Sequence, residues 1–147
     1  MNPILRSGGY PVGRSSRWLL VCWSLFLIAG FSLSLHLDPD PRGFGTHQRL
    51  GLPPCTFRAL LDIPCPGCGM TTSFSHFVRG NLVQAARANI GGALLALCCA
   101  VQIPWCWWSA LRGRLWYVED PTRSLLILIT VVASVALVNW IFRLASG

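Results

Sequence analysis

Three long apolar stretches constrain the fold of this chain more than any other feature. They cover residues 18–37, 89–111 and 124–143 of the 147. A helix of about 20 residues rises about 30 Å, which is the hydrocarbon thickness of a bilayer. Because 53% of the residues are hydrophobic and only 12% are charged, a soluble domain of this size could not bury so much apolar surface. The sequence predicts an all-α membrane protein with three transmembrane helices, organised as one membrane domain over residues 1–147.

The first stretch could instead be a cleaved signal peptide. Its apolar core is unusually long for that role, and no small-x-small cleavage site closes it. We therefore expect a retained helix. The Asp-Pro-Asp-Pro segment at residues 38–41 ends it, because proline lacks an N–H donor and the residue before a proline avoids the helical region.

Residues 38–88 separate the first two spans and carry the polar chemistry of the chain. Short helices are expected at Thr56–Asp62, after an N-cap at Thr71, Thr72 or Ser73, and at Leu82–Arg87. They are too short to cross a bilayer, so we expect them to lie at the membrane surface or to re-enter it.

The arginines predict the orientation. The net charge is +7, with three arginines in the first 17 residues, Arg6 among them, and three more in the 112–123 loop. Arginine is denser there than in the 38–88 loop, which favours a cytoplasmic amino terminus and an outward-facing loop. The arginines are spread thinly along the chain, which is typical of contact with lipid headgroups; we expect no binding to nucleic acid.

The segment Cys65-Pro66-Gly67-Cys68-Gly69 is the strongest chemical signal in the chain. A Cys-x-x-Cys turn followed by glycine is typical of a zinc knuckle, in which both sulfurs point at one metal ion. One knuckle supplies half of a tetrahedron, so Cys55 is the expected third ligand and His76 or His47 the fourth. A helix from about Thr72 would place His76 one turn inside it, near the sulfurs.

Two other readings use the same thiols. Cys65 and Cys68 at a helix start could form a redox pair, although no βαβ pattern surrounds them and Gly69 would interrupt the helix. Alternatively, Cys55 and one of the pair could staple the loop with a disulfide. The remaining cysteines lie in apolar stretches and are expected to act as small hydrophobic side chains.

The chain resembles the uncharacterised bacterial membrane family called domain of unknown function 2752. The resemblance rests on Cys55, a nine-residue spacer, the CPGCG core with Met70-Thr71 behind it, Gly80-Asn81 and Asn89 before the second span. It implies a small bacterial multi-pass membrane protein with a cysteine motif and no established activity. The family pattern has arginine where this chain has Thr72.

The sequence thus predicts a small integral protein of the bacterial inner membrane whose cysteine loop acts as a metal-bound or disulfide-stapled structural and interaction site. Zinc is the expected cofactor if a metal is bound. The expected partners are the bilayer and another membrane protein. Recognisable enzyme signatures are missing, so a non-enzymatic role is favoured. The alternative is a membrane thiol-disulfide oxidoreductase that uses Cys65 and Cys68.

Overall fold

The computed structural model describes residues 9–145, and every described element of regular structure is helical. Arg6, one of the arginines used to predict the orientation, lies outside these residues. In chain order the α-helices are α1 (Arg14–His36), α2 (Thr56–Leu61), α3 (Met70–Val78), α4 (Leu82–Ala88), α5 (Ile90–Arg112) and α6 (Pro121–Ala145), with a 3-10 helix at Thr46–Leu50 before α2.

Three of these helices are long and apolar enough to cross a membrane: α1, α5 and α6. The predicted all-α membrane fold with three spans is therefore confirmed. Helix α1 begins four residues earlier than predicted, at Arg14, and α6 begins at Pro121, which suits a first helical position because proline has no N–H to leave unpaired there.

Helix α5 packs against both other spans. On one side Trp23 of α1 donates from Nε1 to Oε1 of Gln102 at 3.0 Å, a polar contact between two apolar helices. On the other side Gly91 lies so close to α6 that a Cβ there would stand 2.8 Å from the Cβ of Ala136. Helix α6 buries none of its residues, so it lies at the outside of the bundle.

The chain before α1 pairs with the loop between α5 and α6. Tyr10 donates its N–H to the Val118 carbonyl at 2.7 Å, and Val12 donates to the Gly113 carbonyl at 2.9 Å. The Tyr10 carbonyl accepts from the N–H of Leu115 at 2.9 Å. This segment and this loop therefore lie at the same end of the bundle, as three spans require.

Helix α3 starts earlier than its sequence suggested. The predicted hydroxyl N-cap is wrong: the cap residue is Gly69, in the left-handed region at φ 85°, and no side chain caps the helix. The hydroxyl groups of Thr72 and Ser73 are fully buried and bind other parts of the chain. The apolar face of α3 packs on α1, where Phe74 and Phe77 stack on Phe31 with ring centroids 6.0 and 6.2 Å away.

Candidate functional site: the thiol-bearing cap

Residues 38–88, called the cap from here on, are fastened to the end of α1. Arg79, the residue directly after α3, donates to the carbonyls of Ser34 at 3.2 Å and Leu35 at 2.7 Å. The Ser75 hydroxyl donates to the Ser34 carbonyl at 3.1 Å and also to that of Leu37. The last carbonyls of a helix have no partner within it. Side chains of α3 and of the residue directly after it therefore satisfy the exposed end of α1.

Asn89 joins the cap to the start of α5. This residue is 1% exposed. Its Oδ1 accepts from the N–H of Gly92 at 2.9 Å, which caps α5. Its Nδ2 donates to the Cys68 carbonyl at 3.1 Å and the Pro66 carbonyl at 3.3 Å. One buried amide thus caps the second span and holds the cysteine turn.

Helix α6 reaches the same turn from the other side. Trp140 donates from Nε1 to the Pro64 carbonyl at 2.6 Å. Arg143 donates from Nη1 to the carbonyls of Cys68 at 2.9 Å and Ala88 at 3.2 Å. Residues three apart share a helix face, so the last turns of α6 present both donors together. The cysteine turn is therefore docked onto two spans through its carbonyl groups.

The turn itself, residues 65–69, requires glycine at its last position. The N–H of Cys68 donates to the Cys65 carbonyl at 3.0 Å, and that of Met70 donates to the Gly67 carbonyl at 3.1 Å. A Cβ on Gly69 would lie 2.5 Å from the Ala88 carbonyl oxygen and 2.7 Å from that of Gly43. Both the positive φ and the close approach of two chain segments exclude a larger residue.

Cys55 and Cys65 are the thiols that the fold brings together. Cys55 lies immediately before α2, and its thiol is close enough to that of Cys65 for each to shift the pKa of the other. The backbone N–H of Arg58, and then the Cys65 thiol, lower the pKa of the Cys55 thiol. Burial, and then the neighbouring Cys55 side chain, raise the pKa of the Cys65 thiol. The two shifts are of opposite sign, so Cys55 is the more acidic thiol of the two.

Cys68 and His76 take different places from those two. Cys68 is 6% exposed and close enough to Cys65 for its charge to raise the pKa of that thiol as well. His76 lies in the last turn of α3. Since the helix begins at Met70 rather than at Thr72, His76 is about 9 Å along the axis from the start of the helix. Its Nδ1 is buried without a hydrogen-bond partner among residues 9–145, and its pKa is lowered by burial and then by Arg79.

The predicted zinc ligands do not form a complete set in this arrangement. Within the described part of the chain, no three His, Cys, Asp or Glu side chains are grouped so that they could hold a metal ion. The structure pairs Cys55 with Cys65 and leaves His76 at the far end of α3. Zinc binding by Cys55, Cys65, Cys68 and a histidine therefore stays a prediction, since a tetrahedral site needs four ligands at one point.

A cleft of about 350 Å³ opens beside the thiols. Cys55 and Cys68 both line it, whereas Cys65 and His76 do not. His47, the other predicted fourth ligand, is also on its wall. Cys55 is therefore the thiol that is both paired and open to a cleft in which a small molecule could meet it.

Thr72 has a structural role at the floor of this cleft. Its hydroxyl shares a 2.8 Å hydrogen bond with that of Thr46, which accepts from the N–H of Asp40 at 3.0 Å. Both threonines are fully buried. The residue that stands in place of the expected arginine therefore ties α3 to the 3-10 helix.

Three residues that organise the site were not identified from the sequence as its parts: Asn89, Trp140 and Arg143. Asn89 before an apolar run is a recognisable N-cap signal, but its contact with the turn joins residues 21 positions apart. Trp140 and Arg143 resemble ordinary residues of the membrane interface. Only their three-residue spacing pointed to a common face.

Residues 55–103 match a family model described as "Protein of unknown function (DUF2752)". The predicted resemblance to this family is therefore confirmed for that part of the chain, which runs from Cys55 through the turn, α3 and α4 into α5. No curated protein and no solved structure is significantly similar to the chain.

Proposed function

We propose that this protein is a multi-pass protein of the bacterial inner membrane whose cap is a disulfide-stapled structural and interaction site. The staple would join Cys55 to Cys65. The proposal is supported by the proximity of these two thiols, each of which is close enough to shift the pKa of the other. We further propose that the amino terminus is cytoplasmic, so that the cap faces an oxidising compartment in which such bonds persist.

The bridge would close a loop of 11 residues that includes α2. The chain-entropy relation gives a stabilisation of about 3 kcal/mol for a loop of this length. Helix α2 buries none of its residues, so it gains little from packing and depends on such a tether. The rest of the cap is held by hydrogen bonds to the spans, which the bridge leaves intact. A rigid surface of this kind suits contact with another membrane protein.

Thiol-disulfide exchange is the second candidate, and the cleft supports it. The Cys55 thiolate would attack a disulfide-bearing substrate RS–SR, forming a mixed disulfide and releasing one RS⁻. The Cys65 thiol, after losing its proton, would then attack the Cys55 sulfur, releasing the second RS⁻ and closing the bridge. The opposite pKa shifts of the two thiols suit these two roles. In this candidate the redox pair is Cys55 and Cys65. The sequence had suggested Cys65 and Cys68.

The test is a map of cysteine bonds in protein purified without reductant. We expect a Cys55–Cys65 cross-linked peptide in the mass spectrum, with Cys68 free and alkylated after denaturation. Cys68→Ala should retain the cross-link, whereas Cys65→Ala should lose it. Catalysis separates the two candidates, because only the exchange candidate predicts that the wild type, and not Cys65→Ala, accelerates thiol transfer between oxidised glutathione and a dithiol.

Three outcomes would contradict the staple. The first is free Cys55 and Cys65 in protein taken from an oxidising compartment. The second is a Cys65–Cys68 bridge in their place. The third is thiols that resist alkylation until a chelator is added, which would return the site to zinc bound by Cys55, Cys65, Cys68 and a histidine.

A further inference from the structure

The cleft beside Cys55 is positively charged. Arg42 and Arg58 line it, and its described lining contains no aspartate or glutamate. The Thr71 hydroxyl and the Gln48 amide add hydrogen-bonding groups to the same wall. A concave site lined by several donors of one charge sign concentrates ligands of the opposite sign.

Phe44 orders the two arginines. The guanidinium carbon of Arg58 lies 3.5 Å from the centroid of its ring, and that of Arg42 lies 5.2 Å from the same centroid. Arg42 is neutralised by Asp40, with Nη2 and Oδ2 2.7 Å apart. The ion pair with Asp40 reduces the repulsion between the two arginines beside the ring, which makes the arrangement favourable.

Arg58 keeps its charge unpaired. Among residues 9–145 it forms no ion pair with a carboxylate, and its buried Nε has no hydrogen-bond partner. A buried donor without an acceptor costs free energy that an incoming acceptor restores. The guanidinium group of Arg58 is meanwhile held against Phe44, so little side-chain freedom remains to be lost on binding.

We propose that the cleft binds a phosphate group through Arg58, with Thr71 and Arg42 at its sides. Arginine is suited to phosphate because its planar donors match the oxygen spacing. The volume of about 350 Å³ admits a phosphate with a small substituent. The phosphate could belong to an anionic lipid headgroup, since the cap is docked on the ends of α1 and α6, or to a free phosphate-bearing molecule. This proposal does not depend on the staple.

The experiment measures binding to the full-length protein in detergent. Equilibrium dialysis with radiolabelled inorganic phosphate gives the free-phosphate arm. Native mass spectrometry after addition of phosphatidylglycerol or phosphatidylcholine gives the lipid arm. The test variant is Arg58→Gln. The matched control is Arg87→Gln, because Arg87 is an exposed cap arginine of α4 outside the cleft. Both variants are checked for helicity and thermal unfolding.

We expect the wild type and Arg87→Gln to bind alike, and Arg58→Gln to bind about tenfold or more weakly. If Arg58→Gln does not fold, Arg58→Lys replaces it; it keeps the charge but loses the fork, so it should bind about threefold more weakly. Preference for phosphatidylglycerol without binding of inorganic phosphate identifies the lipid as the source. Equal binding by wild type and the Arg58 variant, equal loss in both glutamine variants, or no binding to either probe would overturn the proposal.

Discussion

Replacing Gly69 with alanine tests how the cysteine turn is built. The residue has a φ of 85°, and alanine in that left-handed conformation costs about 1–2 kcal/mol. Its new methyl group would also lie 2.5 Å from the Ala88 carbonyl oxygen and 2.7 Å from that of Gly43, so at least one segment must move. Crowding of this kind costs about 1–3 kcal/mol. We expect Gly69→Ala to destabilise the turn by about 2–5 kcal/mol in all.

The alkylation rate of Cys68 reports this change directly. Cys68 is 6% exposed, so under native conditions it reacts only when the turn opens. A loss of 2–5 kcal/mol raises the open fraction by about 30-fold to about 5,000-fold. The rate is measured on reduced protein by mass spectrometry of the peptide that contains Cys68, at several reagent concentrations, so that reclosing is known to be faster than reaction.

Gly67→Ala is the matched control in the same turn. A Cβ at Gly67 meets nothing within 4 Å, and its φ is not positive. The alkylation rate of Cys68 in the Gly67→Ala variant should stay within about threefold of the wild-type rate. The reasoning fails if Gly69→Ala reacts at the wild-type rate, or if both alanine variants accelerate alkylation equally.

Three further predictions concern the docking of the cap and its orientation. Asn89→Ala should lower the free energy of unfolding by about 2–4 kcal/mol, because the α5 cap is lost and two turn carbonyls lose a donor; a change under about 0.5 kcal/mol in detergent unfolding curves would refute this. Trp140→Phe keeps an aromatic side chain, though a smaller one, and removes the donor to Pro64, which should cost about 1 kcal/mol in the same assay. Trp18→Phe, the same change at an exposed position, should cost almost nothing. Alkaline phosphatase fused after Gly147 should be active and a fusion at Gly113 inactive; the reverse pair of results would place the cap in the cytoplasm.

The spans could be predicted from the sequence because hydropathy is a local property. Twenty apolar residues in a row have one stable outcome in a bilayer, and the structure differs from the prediction only at the helix ends. Helix α3 shows where local signals fail. Its hydroxyl residues are good N-cap types, yet buried partners in the 3-10 helix and in α4 take them, and Gly69 opens the helix instead.

The candidate site could be predicted only in part. The sequence identified Cys55, Cys65 and Cys68 by residue type, and the interaction between Cys55 and Cys65 follows from how the intervening segment folds back. Asn89 and Arg143, which donate to the carbonyl of Cys68, come from the start of one span and the end of another. Contacts between residues 21 and 75 positions apart leave no mark in local spacing. The reactive thiols can therefore be identified from a single sequence, whereas the long-range contacts that orient them cannot.

Helix α2 connects the two proposals physically. It begins directly after Cys55 and carries Arg58, yet it buries none of its residues. Its position therefore depends on the Cys55–Cys65 contact at its start and on the stacking of Arg58 on Phe44. Reduction of the bridge would remove the first restraint and leave Arg58 held by its stacking on Phe44 alone, so more order would have to be supplied when phosphate binds. Phosphate should consequently bind more tightly to the oxidised protein, and by linkage bound phosphate should favour the disulfide by the same factor.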